Sequence, residues 1–111
     1  MKSDRPYLGH ILDSIAAIES YVAPGRDSFM RERIIHDAVI RNFEIIGEAA
    51  NRLSVEARAT ASVPWARIIA FRNRLIHGYW SVDPLLLWDV IVSELLALRA
   101  EVRRLLAMDE T

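Results

Sequence analysis

Between Phe71 and Trp80 the chain runs Phe-Arg-Asn-Arg-Leu-Ile-His-Gly-Tyr-Trp, placing arginine, asparagine and histidine side chains within two helical turns. An imidazole near neutrality can take or give a proton, and a guanidinium can hold a carboxylate or phosphate through paired N–H groups. Together they could hold an anion and move a proton beside it. On a helical wheel Trp65, Ile68, Phe71, Leu75, Ile76 and Tyr79 form one apolar sector, with Arg72 in its middle and Arg74 pointing almost the opposite way. A guanidinium on a buried stripe stays charged, so Arg72 needs a carboxylate, a phosphate or a set of carbonyls to meet it. Asn73 and His77 are four apart and share one edge of the helix, where the amide could fix the imidazole's tautomer and orientation. Gly78 then offers a left-handed residue to end the helix. Spacing alone favours a plainer reading: basic residues in a last turn before glycine make a well-formed helix C-terminus.

Four long helical patterns are available to position these residues. The first runs from Asp4 to Ala23, with Leu8, Ile11, Leu12, Ile15, Ile18 and Val22 at helical spacing, Ser3 or Asp4 as cap and Pro24-Gly25 as stop. His10 lies off that stripe and reads as solvated. The second opens at Asp27 or Ser28 and continues to about Leu53, with Ile34, Ile35, Val39, Phe43, Ile46 and Ala50 among its buried residues. Asn42 sits at the centre of that sector, where its amide either bridges two helices or orients a site residue. Gly47, Ala49 and Ala50 form a narrow patch that another backbone could approach closely. Glu44 and Glu48 read as a solvated acidic face; with His36 set at a different angle and no Glu-x-x-His pair, no metal site is expected. Ser54 to Ser62 reads as a connector with a short helical turn. Pro64 starts the third long helix at Trp65, Trp80 to Val82 form a short extended link, and Asp83-Pro84 starts a fourth that reaches about Ala107 before the last residues fray. The apolar positions assigned to that helix are Leu85 or Leu86, Trp88 or Asp89, Val92, Leu95, Leu96, Val102, Leu105 and Leu106, with Arg99 on the same stripe. The expected fold is all-α, an up-down four-helix bundle with a short extra helix, in one domain over residues 1–111.

Composition narrows the functional classes. Hydrophobic residues at 52% and charged ones at 26% belong to a folded soluble chain, and no stretch is apolar enough for a signal peptide or membrane span, so a cytoplasmic location is expected. The absence of cysteine removes disulfides and thiolate metal sites. A net charge of -1 argues against coating nucleic acid by bulk electrostatics, so any phosphate recognition must be local.

Arg72, four residues, His77, one residue, Tyr79 resembles the Arg-x-x-x-x-His-x-Tyr signature of HepT-like toxins in the HEPN superfamily. The stretches Arg41-Asn42-Phe43-Glu44-Ile45-Ile46-Gly47-Glu48-Ala49 and Asp83-Pro84-Leu85-Leu86-Leu87-Trp88 are similar to segments of the same family, in the same order. The resemblance implies a metal-independent endoribonuclease without cofactor, the toxin of a type VII-like toxin–antitoxin pair. It also implies that Tyr79 is adenylylated by a small ATP-using nucleotidyltransferase antitoxin. Residues five apart on a helix differ by ~140° in direction and ~7.5 Å in rise, so one copy looks like half a site. A two-fold homodimer would bring two Arg72–His77 sets to one cleft, as the resembled family does, and bury the apolar surface left on the third and fourth long helices. RNA is then the substrate and DNA is refused, with Arg72 and His77 catalytic and Asn73 and Asn42 orienting. The alternatives are a non-catalytic helical module that binds a nucleotide or a partner nucleotidyltransferase through the Arg72 cleft, and a purely structural dimerisation bundle.

Overall fold

The computed structural model describes residues 3–109, with side chains through Met108. Six α-helices follow in order: α1 Arg5–Val22, α2 Arg26–Arg31, α3 Arg33–Arg52, α4 Val55–Thr60, α5 Trp65–Gly78 and α6 Pro84–Asp109. A 3₁₀ turn, Tyr79–Ser81, joins the last two, and no strand occurs among the described residues. The all-α expectation therefore holds, with α1, α3, α5 and α6 as the long helices. Lys2 and the final Glu110 and Thr111 lie outside the described residues, while Met108 and Asp109 continue α6 instead of fraying.

Where the sequence gives one uninterrupted second helix, the chain makes two. Glu32 adopts an extended conformation (φ -105°, ψ 99°) between α2 and α3. The bend is closed by a tertiary bond, His36 Nε2 to the Phe29 carbonyl at 2.5 Å. Phe29 is thereby turned fully inward, its ring 4.8 Å from His36 and 5.3 Å from Trp88 of α6. Ile34, expected in the core, falls on the outer side just after the bend and is exposed.

The other boundaries follow local chemistry. Pro24-Gly25 ends α1, and Gly25 at φ 109° occupies a region closed to most side chains. Asp4 precedes α1 but does not cap it: its carboxylate takes the Ser54 N–H (2.8 Å) and hydroxyl (2.7 Å), clasping the chain start to the α3–α4 corner. Ser54 Oγ in turn accepts the Ala57 N–H and caps α4. The Trp65 indole N–H donates to Arg58 O at 3.1 Å, fixing the start of α5 against α4. Asp83 caps α6 through the Leu85 N–H, with Pro84 in first position.

One continuous core joins Leu8, Ile11, Ile15 and Ile18 of α1 to Val39, Phe43, Ile46 and Ala50 of α3. From α6 it takes Leu87, Ile91, Leu95, Leu98, Val102 and Leu105. Leu95, Val102 and Leu105 of that stripe are as read in the sequence, while Leu87, Ile91 and Leu98 are not among the positions assigned to it. Leu85, Val92 and Leu96 lie on a second stripe facing outward, Val92 65% and Leu96 71% exposed. Helix α3 packs on both α1 and α5, α1 packs on α6, and α5 and α6 barely touch. Between the latter two lies an apolar cleft of about 330 Å³ floored by Phe43 and Ile46 and walled by Ile68, Phe71, Leu95 and Leu98. Arg67 and Glu94 reach across it at 3.3 Å.

Candidate active site

Arg72 owes its place to Gly47. The two residues face each other across the α3–α5 contact so closely that a Cβ on Gly47 would stand 2.2 Å from the Arg72 Cβ and 2.6 Å from its Cγ. Of the narrow patch read in α3, Gly47 is thus a seat for α5, and the arginine's stem lies on it. Only 13% of the Arg72 side chain is exposed. Its Nη1 donates to Glu48 Oε1 in a short contact, and its Nε is buried with no partner.

Glu48 thus departs from the solvated carboxylate expected of it. Oε1 meets Arg72 of α5, and Oε2 accepts from Arg52 Nε, one turn further along α3, at 2.9 Å. The hydrogen bond from Arg52, followed by the charges of Arg52 and Arg72, holds its carboxyl below the ordinary 4.5 against a burial effect that pushes upward. Sequence reasoning missed this residue as the partner Arg72 required. A helix-period pattern gives the angle of Glu48 on its own helix, not the rotation of α5 that brings Arg72 to meet it. With that partner supplied from within the chain, the burial of Arg72 no longer argues for a phosphate by itself.

The remaining motif residues lie on the water side. Asn73 and His77 are both exposed on α5, and neither side chain has a hydrogen bond among the described residues, so the amide does not hold the imidazole in this chain alone. Arg72 is engaged with α3, and no hydrogen bond joins it to His77. Gly78 ends α5 at φ -162°, an extended value instead of the left-handed one expected. The following residues, expected as a short extended link, form a 3₁₀ turn closed by Val82 N–H to Tyr79 O at 3.2 Å. Tyr79 is 48% exposed and Trp80 69%, their rings edge to face at 5.4 Å. Ile76 and Tyr79, counted with the apolar sector, are therefore outside the core; Trp65 and Leu75 are the buried residues of α5. Asn42 is half-buried and donates to Ala38 O in its own helix at 2.9 Å, which satisfies that N–H without a second helix.

A second pocket, about 370 Å³, opens beside Glu48 and is bordered by Tyr7, His10, Arg41, Arg52 and Ile76. His10 is exposed there, as expected, against the Tyr7 ring at 6.2 Å. Among the described residues no three His, Cys, Asp or Glu side chains gather as a metal site, and no helix is long and apolar enough to cross a membrane.

Comparison with known proteins gives this geometry a family. Residues 11–105 match the family described as Ribonuclease HepT-like. A protein of Caldanaerobacter subterraneus subsp. tengcongensis named "Putative RNase" is 36% identical over 99% of this chain and its own full length. The "Probable ribonuclease HepT" of Thermococcus cleftensis is 30% identical over 94% of this chain and 96% of its own. No solved structure matches. The matched span contains the two helices that hold Arg72 and Glu48 and the exposed His77 and Tyr79 beyond them, and the chain belongs to the HepT-like ribonuclease family of the HEPN superfamily.

Proposed function

We propose that this protein is the toxin of a toxin–antitoxin pair, an endoribonuclease that needs no metal and works as a two-fold homodimer. The observation that carries the reading is the division of the motif into two states: a guanidinium anchored between α3 and α5, and an imidazole exposed two helical turns at most beyond it. One His77 takes the proton of a 2′-hydroxyl, and the 2′-oxygen attacks the adjacent phosphorus. The bond to the 5′-oxygen breaks, and the His77 of the second copy gives that oxygen its proton. Arg72 holds the phosphate and stabilises the negative charge that gathers on it. The products are a 2′,3′-cyclic phosphate and a 5′-hydroxyl, and DNA lacks the nucleophile.

The dimer is supported by apolar side chains left outside: Ile76, Tyr79 and Trp80 at the end of α5, and the Leu85, Val92 and Leu96 stripe of α6. In the dimer Asn73 orients the imidazole and Asn42 supports the α3 side of the site. Tyr79, with its ring half exposed, is open to a nucleotidyltransferase antitoxin that moves AMP from ATP to the phenol oxygen, releasing pyrophosphate. An AMP phosphate beside Arg72 then occupies the place of the RNA phosphate.

The experiment is cleavage of a labelled RNA mixture in excess chelator by wild type and His77→Ala, after intact mass has shown Tyr79 to be unmodified. Cleavage by wild type alone, leaving cyclic phosphate ends, supports the reading. Equal cutting by both proteins identifies a contaminant. The Arg72–Glu48 pair favours a second reading, a non-catalytic module that binds a nucleotide or partner nucleotidyltransferase, and binding by unmodified wild type without cleavage selects it.

A further inference from the structure

The donors of Arg72 are not all available to a phosphate. Of the five N–H groups on a guanidinium, the Nε–H is buried without a partner and Nη1 is engaged by Glu48. An oxyanion that grips two nitrogens side by side must take either the Nε–Nη2 edge or the Nη1–Nη2 edge. The first contains the buried nitrogen. The second contains the nitrogen that Glu48 already holds, so a bound phosphate and the Glu48 carboxylate crowd one nitrogen with two negative charges.

Glu48 has somewhere to go. Its second oxygen is bonded to Arg52 Nε at 2.9 Å, and the carboxylate forms part of the wall of the 370 Å³ pocket bordered by Arg41 and Arg52. A small rotation toward Arg52 leaves the carboxylate with a cation while it releases Arg72. Glu44, one turn earlier, lines the same pocket but is paired with Arg41 at 3.6 Å, and among the described residues the ion pair of Arg72 is with Glu48.

We propose that Glu48 is an exchangeable counter-ion of Arg72, which the RNA phosphate displaces onto Arg52 on binding. The inference rests on the ribonuclease reading and adds to it a residue that sets affinity through Arg72. A purely structural Glu48 would lose binding when altered; an exchangeable one gains it. Glu48→Gln keeps the size and the acceptor oxygen while removing the competing charge.

The test is titration of wild type, Glu48→Gln, Glu44→Gln, Arg72→Ala and the Arg72→Ala/Glu48→Gln pair with a fluorescent 2′-O-methyl RNA. This probe has the phosphates but no attacking hydroxyl. Glu48→Gln is expected to tighten binding about fivefold, the scale of a half-exposed ion pair. Glu44→Gln, which changes net charge equally, is expected to move it less than about twofold. In the Arg72→Ala background the gain from Glu48→Gln disappears. Unchanged or weaker binding by Glu48→Gln overturns the exchange, as does an equal gain without Arg72. If wild type cuts RNA while either of those results is found, the exchange alone fails; a wild type that neither cuts nor binds RNA removes the ribonuclease reading and the exchange together.

Discussion

Substituting Gly47 by alanine tests the seating of the site directly. Ordinary carbon–carbon contact is ~3.5–4.0 Å, whereas the new methyl would lie 2.2 Å from the Arg72 Cβ, a shortfall of more than ~1 Å. That neighbour is fixed to the α5 backbone and cannot swing aside, so the helices must separate. Overpacking of this kind costs up to ~3 kcal/mol, and alanine returns ~1 kcal/mol of helix propensity, leaving a loss of about 2 kcal/mol. For a chain of 111 residues this lowers Tm by about 8 °C. The displaced Arg72 is expected to lower kcat/KM on RNA about 100-fold. Gly9→Ala in α1, whose methyl meets nothing within 4 Å, serves as the control and should stabilise by up to ~1 kcal/mol. Denaturation melts and RNA cleavage on the same preparations decide the matter. A Gly47→Ala protein as stable as Gly9→Ala, cutting at the wild-type rate, would refute the close α3–α5 approach and the role assigned to it.

Leu75→Ala empties a fully buried position on α5 and should cost about 2–5 kcal/mol in chemical denaturation. Ser54→Ala removes the α4 cap and one of two bonds to Asp4, with an expected loss of about 1–2 kcal/mol on the same measurement. Because the folded carboxyl of Glu48 is held below 4.5 by Arg52 and Arg72, its stabilising contribution is present above that pH and lost as pH falls through the folded value. Glu48→Gln should therefore show a shallower fall in denaturation midpoint below pH 4.5 than wild type. Leu96→Glu, on the outward stripe of α6, is expected to give a monomer by sedimentation with unchanged helix content and no RNA cleavage.

Much of this arrangement was legible in the residues. Pro24-Gly25, Asp83-Pro84 and the apolar spacing mark three of the four long helices, and the small patch at Gly47 marks where α5 sits. The anomaly of Arg72 was also plain, because a charge on an apolar stripe is a local fact. What could not be read depends on contacts between helices. The bend at Glu32 has no glycine or proline to announce it and is made by His36 reaching the Phe29 carbonyl. Beside the correctly read Leu95, Val102 and Leu105, the inward stripe of α6 takes Leu87, Ile91 and Leu98 and not Leu85, Val92 and Leu96, since an amphipathic sector this wide does not say which edge its neighbours take. The partner of Arg72 is 24 positions away in the sequence and depends on the register of two helices.

Helix α5 is backed by α3, opens on its other side to the cleft before α6, and has only Trp65 and Leu75 buried. A helix held along one side can detach as a separate cooperative unit while α1, α3 and α6 keep their shared core. Such opening would carry Arg72 away from Glu48 and His77 from its place, yet remove only one helix from the ellipticity. Amide exchange in α5 should then be faster than in α1 and α3, and heating would extinguish the site before the bundle itself comes apart.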